Sequence, residues 1–378
     1  MKWEQLHQKI CHTLACPPLP SSVVVDACEE LSQRIQKGAY EEVLQKAGLL
    51  SSIDSAELFA AAKAIRADSL QERLDRELGR EDLRIIKRLP LGVLLHIGAG
   101  NVKGLGAYSV LEGLLTGNIN FLKPSGEDGG VSKFVLKELI EIEPRLKPYV
   151  FIFSIPSSNQ KALGKLAQLS DGIVVWGGDE AIQAVRSLAG PDKRLIEWGH
   201  RFSFTYITRE GLKNKEELRE LASHLLKTQQ KLCSSCQCIF LEEGSPKDLS
   251  GKLKEQIQIL SEKPDFMQGE IAHNTLRCYT SELREAAHGK DLFQAGGCPI
   301  YLLPRTEIIP YLRHLPFALQ TAGIICGERE VQELSYLMLR AGAVRVCTPK
   351  EMSTFIGGNS HDGEYPLLRY TKIVDSPE

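Results

Sequence analysis

The sequence predicts an α/β protein: a doubly wound parallel sheet behind a helical N-terminal layer, followed by a second α/β unit. Three observations predict it. From residue 91 onward, short apolar runs of strand type alternate with helical stretches of about 10–15 residues, the arrangement of a parallel sheet with crossover helices. The first buried-strand candidate, Leu91-Gly-Val-Leu-Leu-His-Ile97, runs straight into the glycine-rich turn Gly98-Ala-Gly-Asn101. At 378 residues the chain is long enough for two or three domains.

The elements follow in order. Residues 22–80 read as helices, because VVVDACEELSQRI and AELFAAAKAIRADSLQERLDREL space apolar residues three and four apart with charges between them. The pattern changes at Leu83-Arg-Ile-Ile-Lys-Arg-Leu-Pro90, which reads as a strand. Further strands are expected at 118–125 (NINFLKPS), 150–155 (VFIFSI) and 172–176 (GIVVW), with helices at 130–142, 159–168 and 178–188. RFSFTYITRE (201–210) opens the second unit, with helices at 213–227, 247–260 and 328–342 and strands at 299–304 and 343–349. The terminal run 367–375 has a strand pattern. Edge strands expose unpaired backbone groups, so it reads either as a partner of the 82–89 strand of its own or a neighbouring subunit, or as an internal sheet edge.

Composition narrows the function classes. Lys+Arg number 46 against 48 Asp+Glu, a formal net charge of -2, which argues against a polyanion such as nucleic acid as partner. No apolar run approaches the roughly 18 residues of a membrane span, and the N-terminus carries charges where a signal peptide needs an apolar stretch, so a cytoplasmic protein is expected. The ten cysteines are scattered, which points to reduced thiols.

Several residues are of types that carry chemistry. Cys233 lies in Gln-Lys-Leu-Cys-Ser-Ser-Cys-Gln (230–237), with Cys236 and Cys238 close by. The run admits four readings: core filler, half of a metal site, a redox dithiol, or a nucleophile. A zinc site lacks a second ligand pair, and a dithiol of thioredoxin type would be followed by a helix rather than the strand-like 237–241. Asn101 closes a turn where backbone approaches ligands closely, so it is either a turn residue or an oxyanion donor. Lys123 ends a strand where α/β sheets bind ligands; it is either a solvated surface lysine or a cofactor group, which would meet an adenosine ribose or its 2′-phosphate. Trp176-Gly-Gly-Asp179 suits a dinucleotide over a helix N-terminus, or is an ordinary strand-to-helix turn. Glu197 and His361-Asp362-Gly363 have surface and turn readings beside catalytic ones.

Taken in order, PLGVLLHIGAGN (90–101), LTGNINFLKPS (115–125), WGGDEAI (176–182), IEWGHRFS (196–203), QKLCSSCQ (230–237), LQTAG (319–323) and HDG (361–363) resemble the long-chain acyl-CoA reductase family of bacterial bioluminescence, a branch of the aldehyde dehydrogenase superfamily. The resemblance runs from about residue 85 to the C-terminus, and more loosely through the N-terminal helices. It implies an aldehyde-dehydrogenase-like fold with a helical layer and NADP-binding domain in 1–200, a catalytic α/β domain in 201–350, and a segment 351–378 returning to the first domain or to an oligomer partner.

The resemblance also implies Cys233 as nucleophile, Asn101 as oxyanion group, Glu197 as proton-handling group, and Lys123 with Pro124 and Ser125 at the adenosine end of the cofactor, alongside Trp176, Gly177 and Gly178. Many oxidising superfamily members carry a glutamate three residues after that lysine; here the position is Gly126, which favours NADPH over NADH. The family also has proline where this chain has Cys236, and the chain is short for it, implying a trimmed N-terminal or oligomerisation segment. The expected reaction is NADPH-dependent reduction of a fatty acyl thioester, from acyl-CoA or an acyl-loaded partner protein, by a metal-free homo-oligomeric enzyme. Oxidation of an aldehyde, and a non-catalytic acyl-binding role, are the alternatives.

Overall fold

The computed structural model describes residues 3–46, 59–79, 87–98, 102–262, 276, 279–285, 287, 291–316, 318–354 and 360–374. The chain forms two compact units, one built from Met1–Gly199 with Phe355–Glu378 and the other from His200–Thr354.

The first unit is organised on five strands: β2 (Val93–Ile97), β3 (Ile119–Lys123), β4 (Val150–Ile152), β5 (Gly172–Trp176) and β6 (Arg194–Trp198). They pair in the order β4-β3-β2-β5-β6, and every pairing is parallel. The chain builds outward from β2 through β4, returns, and builds the other way through β5 and β6. The junction of β2 and β5 is therefore the topological switch point of a doubly wound sheet. All five residues of β3 and of β5 are buried, as central parallel strands covered on both faces must be. On one face Val93, Leu95, Ile173 and Val175 join a large core with the N-terminal helices Trp3–Leu14, Ser21–Gln36 and Ala67–Leu78. On the other, Leu94, Val174, Trp176, Ile196, Trp198 and Tyr370 form a smaller one.

A buried ion cluster ties this unit's layers together. Arg73 bonds Glu77 and Glu112, each at 2.6 Å, and the Tyr108 hydroxyl at 2.6 Å. Glu112 also accepts from the Tyr370 hydroxyl (3.1 Å) and Glu77 from the Leu367 amide (2.8 Å), so the cluster anchors the returning C-terminal segment. That anchor corrects one expectation. The run 367–375 is not all strand: proline opens a helical turn, Pro366–Arg369, and the strand is β13 (Thr371–Val374). It pairs antiparallel with β1 (Lys87–Pro90) of the same chain.

In the second unit β7 (Phe202–Ile207), β8 (Cys236–Leu241), β9 (Gln294–Ala295), β10 (Cys298–Leu302), β11 (Leu319–Ile325) and β12 (Arg345–Cys347) form a sheet in the order β12-β11-β7-β8-β10-β9. All pairings are parallel except β9 with β10. This sheet is again doubly wound, with cores on both faces. Strands β9 and β11 and the helix Ile308–Arg313 are absent from the elements read in the sequence. The helix carries Pro310 near its start, where a missing N–H costs little. Strand β11 is rich in small residues because the interior leaves no room: a Cβ on Gly323 would lie 2.6 Å from Met352 Sδ. The expected strand at 150–155 is shorter, ending at Ile152.

Candidate functional site

The first unit presents its candidate residues along the carboxyl edge of the sheet, where open α/β sheets bind ligands. Register puts Ile97 beside both Lys123 and Val175, and Val175 beside Glu197, so Lys123 and Glu197 stand in one row across the strand ends. The Gly98 amide bonds the Lys123 carbonyl at 3.1 Å, joining the start of the glycine turn to the Lys-Pro-Ser segment. Asn101 lies outside the described residues.

Lys123 is 7% exposed, and its Nζ donates to Ser157 Oγ at 2.7 Å. Burial pulls its ammonium pKa down. A buried cation holding one neutral partner retains donors for an anionic or hydroxyl-bearing ligand. Pro124 is half-buried; Ser125 accepts the Glu127 amide and caps the turn Gly126–Asp128. A Cβ on Gly126 would meet nothing within 4 Å. Position 126 therefore opens on free space beside the lysine segment.

Trp176 is buried: its indole N–H donates to Ser109 Oγ (3.1 Å), and its ring packs on Trp198 and His361 at 5.6 and 4.9 Å. The following pair, Gly177 and Gly178, leads into the helix Asp179–Leu188, with space free beside Gly178. His361-Asp362-Gly363 forms a tight turn with positive φ at Asp362 (50°) and Gly363 (82°), bridged by His361 and Glu364.

Glu197 is held by a partner that sequence spacing does not reveal. Arg186, on the helix Asp179–Leu188, grips both carboxylate oxygens at 2.6 and 2.7 Å. This hydrogen bonding holds the carboxyl below its ordinary pKa. Asp128 is another residue the sequence reading missed. Buried, it accepts from the Gly104 amide (3.0 Å), the Ser132 amide (2.9 Å) and the Ser132 hydroxyl (2.7 Å), pinning the segment after the glycine turn to the one after Lys123.

In the second unit the cysteine run lies at the opposite, amino edge of its sheet. The helix Lys215–Thr228 ends in two consecutive left-handed residues, Gln229 (φ 46°) and Gln230 (φ 62°), which turn the chain toward Cys233. Such strain persists only where surrounding contacts impose it. Here Gln230 Nε2 donates to the Gly297 carbonyl at 2.7 Å and contacts Cys298 Sγ at 3.2 Å. Cys233 sits in the turn before β8 and is half-buried, whereas Cys236 and Cys238 are buried in the sheet. Burial raises the Cys238 and Cys298 thiols well above the ordinary range, which suppresses thiolate formation at both.

His224 supports the same turn. Its Nε2 accepts the Cys236 amide at 3.0 Å, which puts the ring proton on Nδ1, facing Ser353 Oγ at 3.3 Å. Burial, with Lys227 nearby, lowers its pKa to about 4, so it stays neutral. At the carboxyl edge of this sheet an open cavity of about 460 Å³ is lined by Arg209, Glu242, Arg305 and Glu330 among others. Arg305 pairs there with Glu242 (2.7 Å), Glu333 (3.0 Å) and Glu330, so its guanidinium is already engaged. Among the described residues no cluster of His, Cys, Asp and Glu could hold a metal ion, and no helix is long and apolar enough to cross a membrane.

Two doubly wound α/β units in succession give an aldehyde-dehydrogenase-like fold. Solved structures agree. The chain superimposes on the aldehyde dehydrogenase KauB from Pseudomonas aeruginosa with a TM-score of 0.73 at 14% identity, covering 98% of this chain and 88% of that one. It matches an indole-3-acetaldehyde dehydrogenase complexed with NAD+ at 0.69 and 14% identity, covering 94% and 83%. Residues 20–273 and 300–373 match the model of the acyl-CoA reductase (LuxC) family, and the chain belongs to that family. A long-chain acyl-protein thioester reductase of Photorhabdus laumondii is 27% identical over 323 residues, covering 78% of this chain and 65% of the relative. One from Vibrio harveyi is 24% identical over 210 residues, covering 51% and 43%. The chain thus spans less than two thirds of the length of these relatives.

Proposed function

We propose that the protein reduces a fatty acyl thioester to the aldehyde with NADPH, through an acyl group held on Cys233. The observation that carries the reading is the placement of Cys233: of the three neighbouring cysteines Cys233, Cys236 and Cys238 it alone is half-buried, in a turn fixed from several sides, as a thiol must be to meet a substrate. Family membership supports the reaction class, and the relatives' name supports an acyl-loaded protein as donor beside acyl-CoA.

The Cys233 thiolate attacks the thioester carbonyl, the oxyanion is met by the Cys233 N–H and Asn101, and the donor thiol leaves with the electron pair of the broken C–S bond. Lys123, Pro124 and Ser125 hold the adenosine end of the cofactor, and Gly177 and Gly178 let its phosphates approach the backbone. When bound, NADPH supplies the hydride that reduces the Cys233 thioester. Collapse of the resulting hemithioacetal oxyanion frees the aldehyde and returns Cys233 as thiolate. Gly126 supports NADPH over NADH, because no carboxylate there repels a 2′-phosphate.

Incubation with palmitoyl-CoA followed by peptide mass spectrometry tests the reading. The expected result is an acyl adduct on Cys233, discharged as aldehyde when NADPH is added. An adduct-free Cys233, or NADPH consumption that survives Cys233→Ala, would refute it.

A further inference from the structure

Ser203 is fully buried at the amino edge of the second sheet, and its hydroxyl makes two hydrogen bonds. It donates to the Cys233 carbonyl at 2.7 Å and accepts from the Thr321 amide at 3.1 Å. The strand ladders explain why a side chain is needed. Between β7 and β8 the register slips after Ser203, which pairs with Cys236 while Phe204 pairs with Cys238. Between β7 and β11 it slips again, Phe202 pairing with Leu319 and Phe204 with Ala322. Bulges of this kind interrupt the main-chain ladder locally. Ser203 sits between both, and its single hydroxyl bonds a backbone donor of β11 and the backbone acceptor of Cys233.

We infer that Ser203 is a positioning residue for Cys233, fixing the peptide plane of the nucleophile to strand β11 through a buried serine bridge. The role rests on the reading of Cys233 as the acyl-bearing thiol. Other backbone groups of the turn are fixed by different devices: the Leu232 amide by Ser235 Oγ at 2.9 Å and the Cys236 amide by His224. The bridge reaches Cys233 itself: holding its carbonyl fixes the 233–234 peptide plane, and with it the backbone on which the Cys233 side chain is carried and the direction of the Ser234 amide. Near-attack geometry is sensitive to displacements of about 1 Å, so loosening this plane slows acylation without touching cofactor binding.

The test is single-turnover acylation by palmitoyl-CoA, read by intact-mass spectrometry on the full chain, for the wild type, Ser203→Ala, Ser203→Thr and Ser250→Ala. Ser250 supplies the control, a buried hydroxyl of the same unit that donates to the Gln294 carbonyl at 2.6 Å. Ser203→Ala is expected to slow acylation on the order of tenfold or more. Ser203→Thr recovers most of the rate, Ser250→Ala matches the wild type, and NADPH affinity by calorimetry is equal in all four. A Ser203→Ala rate within about twofold of wild type, or an equal loss in Ser250→Ala, overturns the positioning role and leaves the Cys233 reading standing. Hydrogen exchange on the wild type tests the bridge without a variant, since rapid exchange of the Thr321 amide is incompatible with it. An adduct on another residue of the wild type removes the nucleophile and the bridge's role together.

Discussion

Both oxygens of the Glu197 carboxylate are engaged by one guanidinium, that of Arg186, at 2.6 and 2.7 Å. A carboxylate so gripped is a poor general base, because its lone pairs are occupied and its pKa is lowered. Under the proposed mechanism this would have a use: water activated by a free carboxylate would hydrolyse an acyl-cysteine to acid before reduction.

Arg186→Ala is therefore expected to shift product from aldehyde toward free fatty acid, by roughly tenfold in the acid-to-aldehyde ratio if Glu197 becomes an effective base. Charge is not what changes, since the carboxylate is ionised at neutral pH with or without its partner. Product analysis by gas chromatography checks this, and the double variant Arg186→Ala/Glu197→Gln should return the ratio to the wild-type value. An unchanged ratio in Arg186→Ala means that Glu197 does not reach the reacting carbonyl.

Cofactor choice is predicted to turn on position 126. A side chain there enters open space at an ordinary backbone conformation, so Gly126→Glu should fold normally. Its carboxylate would repel a 2′-phosphate and accept from ribose hydroxyls. One added charge at about 4 Å costs about 1–4 kcal/mol between water-like and surface dielectrics, so NADPH affinity should fall by about tenfold or more while NADH affinity rises. Calorimetric titration with each cofactor measures both changes.

The sheet of the first unit was legible because its strands are short, apolar and buried on both faces, which makes GIVVW and the core of NINFLKPS unlike their flanking helices. Strand β11 was not, because its Thr-Ala-Gly centre is selected by close packing against Met352 and lacks the usual β-branched run. The candidate site divides in the same way. Lys123 and Cys233 could be singled out by type and local sequence. The grip of Arg186 on Glu197, the pinning by Asp128 and the Ser203 bridge connect residues through tertiary packing, over 11, 24 and 30 positions, and no local pattern encodes them.

Arg73→Met should be strongly destabilising. It leaves Glu77 and Glu112 buried without their cation, the situation that typically costs about 3–5 kcal/mol. Burial already raises the Glu77 pKa even beside Arg73. A carboxyl with a raised folded pKa loses stability as pH rises through that value and regains it as pH falls. The deficit of Arg73→Met should accordingly be larger at pH 7.5 than at pH 5, as measured by urea unfolding at the two values.

Two buried histidines predict a loss of stability on the acid side. His96 and His224 are both held neutral, with pKa values lowered to about 4, chiefly by burial. Each ring is fixed as neutral by its contacts. His96 bonds Asn120 Oδ1 at 3.0 Å, and since Asn120 Nδ2 donates to the Asn118 carbonyl at 2.7 Å, the proton is on Nε2 and Nδ1 accepts from Ser109 at 2.7 Å. In the unfolded chain both protonate near 6.5. Because the folded values are depressed, the stability contribution is complete above about pH 6.5 and is lost as pH falls toward 4, by roughly 3 kcal/mol for each ring. Urea unfolding between pH 7 and 4.5 should show this slope. His224→Gln, which keeps a polar side chain without a titrating group, should flatten the part belonging to the second unit. A slope identical to wild type would mean that His224 already carries its proton in the folded protein, and that the Cys236 amide bonds some other acceptor.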